Sequence, residues 1–263
     1  MLELRGLTVR FGALRAVNHV DLSVDEGALV GLIGPNGAGK TTLIDAVSGI
    51  VPAQGEILFD GERIDHLRAH RRARAGLART FQSIELFDEL TVRENLLTAA
   101  ERSSIASGLG ALVGSKTKAG AATIVDDTLN LLGIVELADD FPSRLSLGQR
   151  KLATVARAIA GQPKLVLLDE PAAGLDTDES LALGATLRDV AKTGVSILLV
   201  DHDMGLVLNV CDYIYVLEFG EVIAAGIPQQ VANDPRVITA YLGEEGESLV
   251  AHGETLIDEV IPR

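Results

Sequence analysis

Gly34-Pro35-Asn36-Gly37-Ala38-Gly39-Lys40-Thr41-Thr42 sets three glycines ahead of a lysine and two threonines. This is the GxxxxGK[ST] spacing of a loop that wraps phosphate. Glycines let the main chain close around phosphate oxygens, and successive N–H groups at the head of a helix favour an anion. In such a loop Lys40 reaches the β- and γ-phosphates of a nucleoside triphosphate, and the Thr41 hydroxyl ligates Mg²⁺. An ordinary glycine turn is the bland alternative. The flanks argue against it, because a strand-like run ends at Ile33 and a helical pattern covers Thr41–Ser48.

Two further segments carry candidate chemistry. Leu165-Val166-Leu167-Leu168 is uniformly aliphatic and ends in Asp169 and Glu170. A buried strand ending in an aspartate is how a Walker B site holds the magnesium shell, and Glu170 stands where a carboxylate polarises an attacking water. Taken alone, the run is equally a core strand whose acids open a turn at Pro171. Leu145-Ser146-Leu147-Gly148-Gln149 begins an amphipathic stretch with Leu152, Val155, Ala156 and Ile159 on one face. Ser146 is a good N-cap, so the helix directs its free N–H groups and positive dipole end outward.

These groups need elements to position them. Leu2–Arg10, Val17–Val24, Ala28–Ile33 and Glu56–Phe59 read as short strands from their alternation. Leu90 to Ala160 has helical spacing, with Ser103–Gly120 as a loop or loosely helical insertion. Leu165–Leu168 and Val195–Val200 look like strands buried on both faces of a parallel sheet. Ser180–Lys192 is helical, and Tyr213–Leu217 with Glu221–Ala225 forms a hairpin around Phe219-Gly220. Strand and helix in alternation imply an α/β core with a parallel sheet.

Composition narrows the class. The chain has 263 residues, 47% of them hydrophobic, and a formal net charge of −14. That length holds a well-buried core, and the acidic balance argues against a nucleic-acid partner, which needs a basic surface. The longest uncharged stretches are 13 residues, short of the roughly 20 apolar residues that span a membrane. The N-terminus lacks the apolar run of a secretory signal. Cys211 is the one cysteine, which suits a reducing cytosol and an inert buried thiol. Arg68, Arg71, Arg72, Arg74 and Arg79 form an acid-free basic stretch. It reads as a solvated helix face or as a contact for anionic lipid headgroups or an acidic loop of a partner protein.

In order along the chain, the phosphate loop, Thr80-Phe81-Gln82, the Leu145–Gln149 signature, Asp169-Glu170, Ala173-Gly174-Leu175-Asp176 and His202 resemble the ATP-binding subunits of ABC transporters. The likeness runs to about Gly243 and implies a P-loop NTPase (RecA-like) core with an antiparallel β subdomain and an inserted α-helical subdomain. The implied limits are residues 1–84 and 161–243 for the core, about 85–160 for the helical part, and 244–263 for an acidic tail. In that family two copies pair head to tail around ATP, so Ser146, Gly148, Gln149 and Asp176 of one serve the nucleotide of the other. The resemblance also implies that Phe11 stacks on adenine, although a core aromatic at a strand end is the alternative. It gives Gln82 contact with Mg²⁺ and water, and His202 contact with the γ-phosphate. Leu147 departs from the commonest signature, which has glycine there.

Ala78-Arg79-Thr80-Phe81-Gln82, Leu90-Thr91-Val92-Arg93-Glu94-Asn95-Leu96-Leu97, Asp201-His202-Asp203-Met204 and Ala240-Tyr241-Leu242-Gly243 are similar to the branched-chain amino-acid uptake group. That likeness implies a peripheral subunit on the cytoplasmic membrane face. It would work with transmembrane permeases, a second ATP-binding subunit and, indirectly, a solute-binding protein. Amide or urea importers share the pattern, and lipopolysaccharide exporters have similar endings. A soluble ABC ATPase acting on DNA or ribosomes would carry long coiled coils or two cassettes, and neither is present.

Overall fold

The computed structural model describes residues 1–81, 86–106 and 114–242. In chain order its elements are β1 (Leu2–Phe11), β2 (Leu14–Val24), β3 (Leu29–Ile33), α1 (Lys40–Ser48), β4 (Gln54–Phe59) and β5 (Glu62–Arg63). Then come α2 (Ala69–Arg74), β6 (Leu77–Arg79), α3 (Val92–Ala106), α4 (Gly114–Leu131), α5 (Leu147–Ala160), β7 (Leu165–Asp169) and α6 (Thr177–Lys192). The chain continues through β8 (Ser196–Val200), α7 (Met204–Val210), β9 (Tyr213–Glu218), β10 (Glu221–Gly226), α8 (Pro228–Ala232) and α9 (Pro235–Leu242).

The aliphatic runs form the middle of a sheet ordered β10-β9-β3-β8-β7-β6, parallel except for the β9–β10 hairpin. Every residue of β3, β7 and β8 is buried, as strands covered on both faces require. Alternation divides their side chains between two cores. Val30, Leu32, Leu165, Leu167, Leu198 and Val200 pack with α1 and with β1, β2 and β4. Leu29, Ile33, Val166, Leu168, Ile197 and Leu199 face the other way, onto α3 to α7. A second, antiparallel sheet, β2-β1-β4-β5, closes the first of these cores.

The expected strands and the hairpin around Phe219-Gly220 are present, with Glu218 opposite Glu221. Cys211 is buried, and burial pushes its thiol up. Of the Ser103–Gly120 insertion, α3 continues to Ala106 and α4 starts at Gly114, and the rest lies outside the described residues. So does the acidic tail, residues 244–263. β6 gave no sequence signal, because three residues at a sheet edge are too few to show a period.

Arg68, Arg71 and Arg74 are exposed, as both readings of the basic stretch require, whereas the side chains of Arg72 and Arg79 are buried and fit neither. Arg72 is buried and donates from its guanidinium to the carbonyls of Leu67, Ala46, Val47 and Asp65. Arg79 is buried between Asp45 and Asp169.

Candidate active site

The strands β3, β7 and β8 point their carboxyl ends the same way, so the segments that follow them converge at one edge of the sheet. After β3 comes the loop from Gly34 to Gly39, with Asn36 and Gly37 exposed at its apex. Its glycines are needed for close approach: a Cβ on Gly34 would lie 2.0 Å from the Leu217 carbonyl oxygen, and one on Gly39 2.2 Å from that of Ala16. The Gly220 N–H donates to the Ala38 carbonyl at 2.9 Å, and the Asn18 N–H to that of Gly220 at 2.8 Å. Loop, hairpin turn and β2 are thereby clamped together.

α1 begins at Gly39 without a side-chain cap, whereas α5, α6 and α7 are capped by Ser146, Asp176 and Asp203. The first N–H groups of α1 therefore have no competing side-chain acceptor, which is what a phosphate requires. Lys40 is buried, and its Nζ donates to the carbonyls of Gly34 at 2.6 Å and Pro35 at 3.1 Å. Burial lowers its pKa, while the charges of Glu170, Asp169 and Asp201 act to raise it. Thr41 is exposed and Thr42 half-buried on the first turn.

Asp169 ends β7 fully inside the protein. Its Oδ2 accepts from Arg79 Nη2 at 3.2 Å, and its Oδ1 is buried with no hydrogen-bond partner. Burial raises its pKa, and Arg79 opposes that rise. An orphaned carboxylate oxygen together with the Thr41 hydroxyl is the hard oxygen donor set that fits Mg²⁺. Among the described residues no cluster of three or more His, Cys, Asp or Glu would hold a metal unaided. A cation here would therefore need water or phosphate oxygens as further ligands. Gln82, the remaining expected ligand, lies outside the described residues.

Glu170 adopts a left-handed main chain, φ 47°, which a non-glycine residue seldom does. Its N–H donates to the Val200 carbonyl at 2.7 Å, and its carboxylate Oε1 lies 3.8 Å from His202 Nδ1. His202 is half exposed and stands beside the fully buried Asp201. Burial raises the Asp201 pKa, and its carboxylate accepts the N–H groups of Ala172, His202 and Asp203, which fixes the turn carrying His202. Phe11 is 51% exposed at the end of β1, which removes the core-aromatic alternative. Its strand partner Leu14 opens β2, whose Ala16 carbonyl abuts the phosphate loop.

The structure thus gathers Lys40, Thr41, Asp169, Glu170 and His202, but it leaves the signature segment apart. Ser146 caps α5 in a capping box with Gln149 and is exposed, as is Leu147. Asp176 caps α6 in the same way. A Cβ on Gly148 would approach Glu179 and Leu175, and one on Gly174 would approach Leu147, so these segments form one surface. The motifs gave no role to three site residues: Arg79, Asp201 and Lys151, whose Nζ donates to the Glu170 carbonyl at 3.2 Å.

Comparison with known proteins bears on the family. The ABC transporter family model matches residues 17–173, and that of the branched-chain amino acid ATP-binding cassette transporter matches residues 221–247. The high-affinity branched-chain amino acid transport ATP-binding protein BraF of Pseudomonas aeruginosa is 42% identical over 93% of this chain and 98% of its own. The corresponding LivG protein of Escherichia coli K12 is 39% identical over the same shares. The lipopolysaccharide export ATP-binding protein LptB of Haemophilus influenzae is 36% identical, again over 93% and 98%. Among solved structures, an ATP-binding cassette of an ABC transporter in its ADP conformation superposes with a TM-score of 0.81 at 30% identity, over 93% of this chain and 99% of that one. A dimeric post-hydrolysis cassette bound to ADP and Pi gives 0.71 at 25% identity, over 87% and 99%.

Proposed function

The chain belongs to the ABC transporter family as an ATP-hydrolysing subunit with a P-loop NTPase fold, and we propose that it powers uptake of branched-chain amino acids. The observation that carries this reading is the match of residues 221–247 to the branched-chain amino acid cassette model. Identity of 42% to a branched-chain amino acid transport subunit supports it. Export of lipopolysaccharide is the second reading, favoured by the 36% identity to an export ATPase. No helix among the described residues is long and apolar enough to cross a membrane. We place the chain at the cytoplasmic membrane face, bound to separate permease subunits and served indirectly by a solute-binding protein. Its proposed limits are residues 1–84 and 161–243 for the core, 85–160 for the helical part and 244–263 for the tail.

In the proposed reaction Phe11 stacks on adenine, and the loop from Gly34 to Thr42 surrounds the phosphates with its main-chain N–H groups, Pro35 excepted. Lys40 leaves the carbonyls of Gly34 and Pro35 for the β- and γ-phosphate oxygens. Thr41, Asp169 and Gln82 would hold Mg²⁺, which neutralises phosphate charge when bound. Glu170 orients and deprotonates water for in-line attack, and His202 fixes the γ-phosphate. A second copy, or a paralogue, closes the site with the α5 N-terminus at Ser146, Gly148 and Gln149, and with Asp176 at the seam. That N-terminus stabilises charge that grows in the transition state.

Glu170→Gln should bind ATP normally and hydrolyse it at least about 100-fold more slowly. Wild-type turnover in that variant removes Glu170 from the role. For the solute, cells lacking this chain should lose uptake of labelled leucine, and Glu170→Gln should not restore it. Unchanged uptake without the chain overturns the assignment.

A further inference from the structure

We propose that Lys151 is the positioning residue for Glu170: carried on α5, it holds the left-handed main-chain turn that aims the hydrolytic carboxylate. This rests on the reading of Glu170 given above. Glu170 has φ 47°, a conformation that persists only where the surroundings impose it. Three groups grip its main chain. The Val200 carbonyl on β8 accepts its N–H at 2.7 Å, and its own carbonyl accepts both the Ala173 N–H and Lys151 Nζ at 3.2 Å. The first is a bond to the neighbouring parallel strand, and the second closes the local turn. The third is a side chain brought to the same oxygen from another helix.

Lys151 is only 8% exposed. Lysine seldom lies so deep unless something holds its charge. It lines a cleft shared with Thr80, Asp169 and Glu170, and Asp201 and Glu170 supply the nearby negative charge. The helix that carries it starts at the Ser146 cap, about one turn earlier. One rigid helix therefore touches the main chain of Glu170 in its own chain and offers its N-terminus to the nucleotide of a second copy. Movement of α5 on closure of the pair would reach Glu170 through Lys151. The ammonium acts through the main chain of Glu170.

Lys151→Met keeps the length and apolar stem and removes the donor. Steady-state hydrolysis should show kcat lowered by about tenfold or more, with KM for ATP and the affinity for a fluorescent ATP analogue within about threefold of wild type. The melting temperature should fall, because the Glu170 carbonyl loses a donor and the buried Asp201 loses a nearby positive charge. Lys151→Arg should restore most of kcat, since it again presents a cationic donor. A kcat for Lys151→Met within twofold of wild type overturns the inference, as does an Arg variant as slow as the Met variant. If Met is not tolerated, Lys151→Gln is judged on the same measurements. Glu170→Gln assayed in parallel separates the two claims. Wild-type turnover there defeats the role of Glu170 itself, whereas a silent Glu170→Gln beside a fully active Lys151→Met defeats only the inference.

Discussion

Arg79 stands between two carboxylates that belong to different parts of the site. Asp45 lies on α1, behind the phosphate loop, and Asp169 ends β7. The guanidinium also lies 4.8 Å from the Phe81 ring centre, next to the segment that leads to Gln82. Its planar fork reaches both acids at once, which a lysine ammonium does less well. Because it engages only Oδ2 of Asp169, it leaves Oδ1 for a cation. Arg79→Met would leave Asp169 buried without its counter-charge, and breaking a buried pair from one side costs about 3–5 kcal/mol. Urea unfolding should show a loss of that order, with Arg79→Lys recovering part of it. A loss below about 1 kcal/mol would show that solvent or another cation already balances Asp169.

At the scale of elements, α1 is held at both ends by unlike means. Its N-terminus lies open at Gly39, and its last turn is closed by a residue from α2. Arg72 donates to the Ala46 and Val47 carbonyls in the last turn, the first of which also accepts the Gly49 N–H at 3.1 Å, and to two carbonyls of its own loop. Arg72→Gln should therefore cost about 2–3 kcal/mol, measured by chemical denaturation, whereas Arg71→Gln and Arg74→Gln should stay within about 0.5 kcal/mol. Equal effects for all three would return Arg72 to the solvated face.

The contrast among these arginines explains what the sequence could reveal. Buried strands and the phosphate loop are legible because their signal is local: an unbroken aliphatic run, or glycines at fixed offsets before a lysine. Arg72 and Arg71 are adjacent and chemically alike, and what tells them apart is a set of main-chain carbonyls, two of them on the distant α1. Arg79 meets Asp169 across the sheet, and Lys151 meets Glu170 from another helix, so neither pairing leaves a local pattern. The left-handed turn at Glu170 follows from β7 handing the chain out of the sheet, which a run of Leu, Asp and Glu does not encode.

For the whole molecule, charge and closure oppose each other. Each copy carries a formal net charge of −14, and residues 244–263 alone hold six acids and one arginine. Two copies therefore approach against long-range repulsion, which acts over about 30 Å at 0.01 M salt and about 8 Å at 0.15 M. The attraction proposed to close them is local and much less screened: phosphate against the α5 N-terminus, whose first turn carries no acid. Salt should weaken the repulsion more than the attraction. In sedimentation velocity, Glu170→Gln with Mg²⁺ and ATP should be mainly monomeric at 0.01 M salt and increasingly dimeric toward about 0.15 M. Removing residues 244–263 should flatten that dependence by lowering the charge each copy brings. Dimerisation that instead weakens steadily with salt would mean that opposite charges at the seam, not the buried phosphates, hold the two copies together.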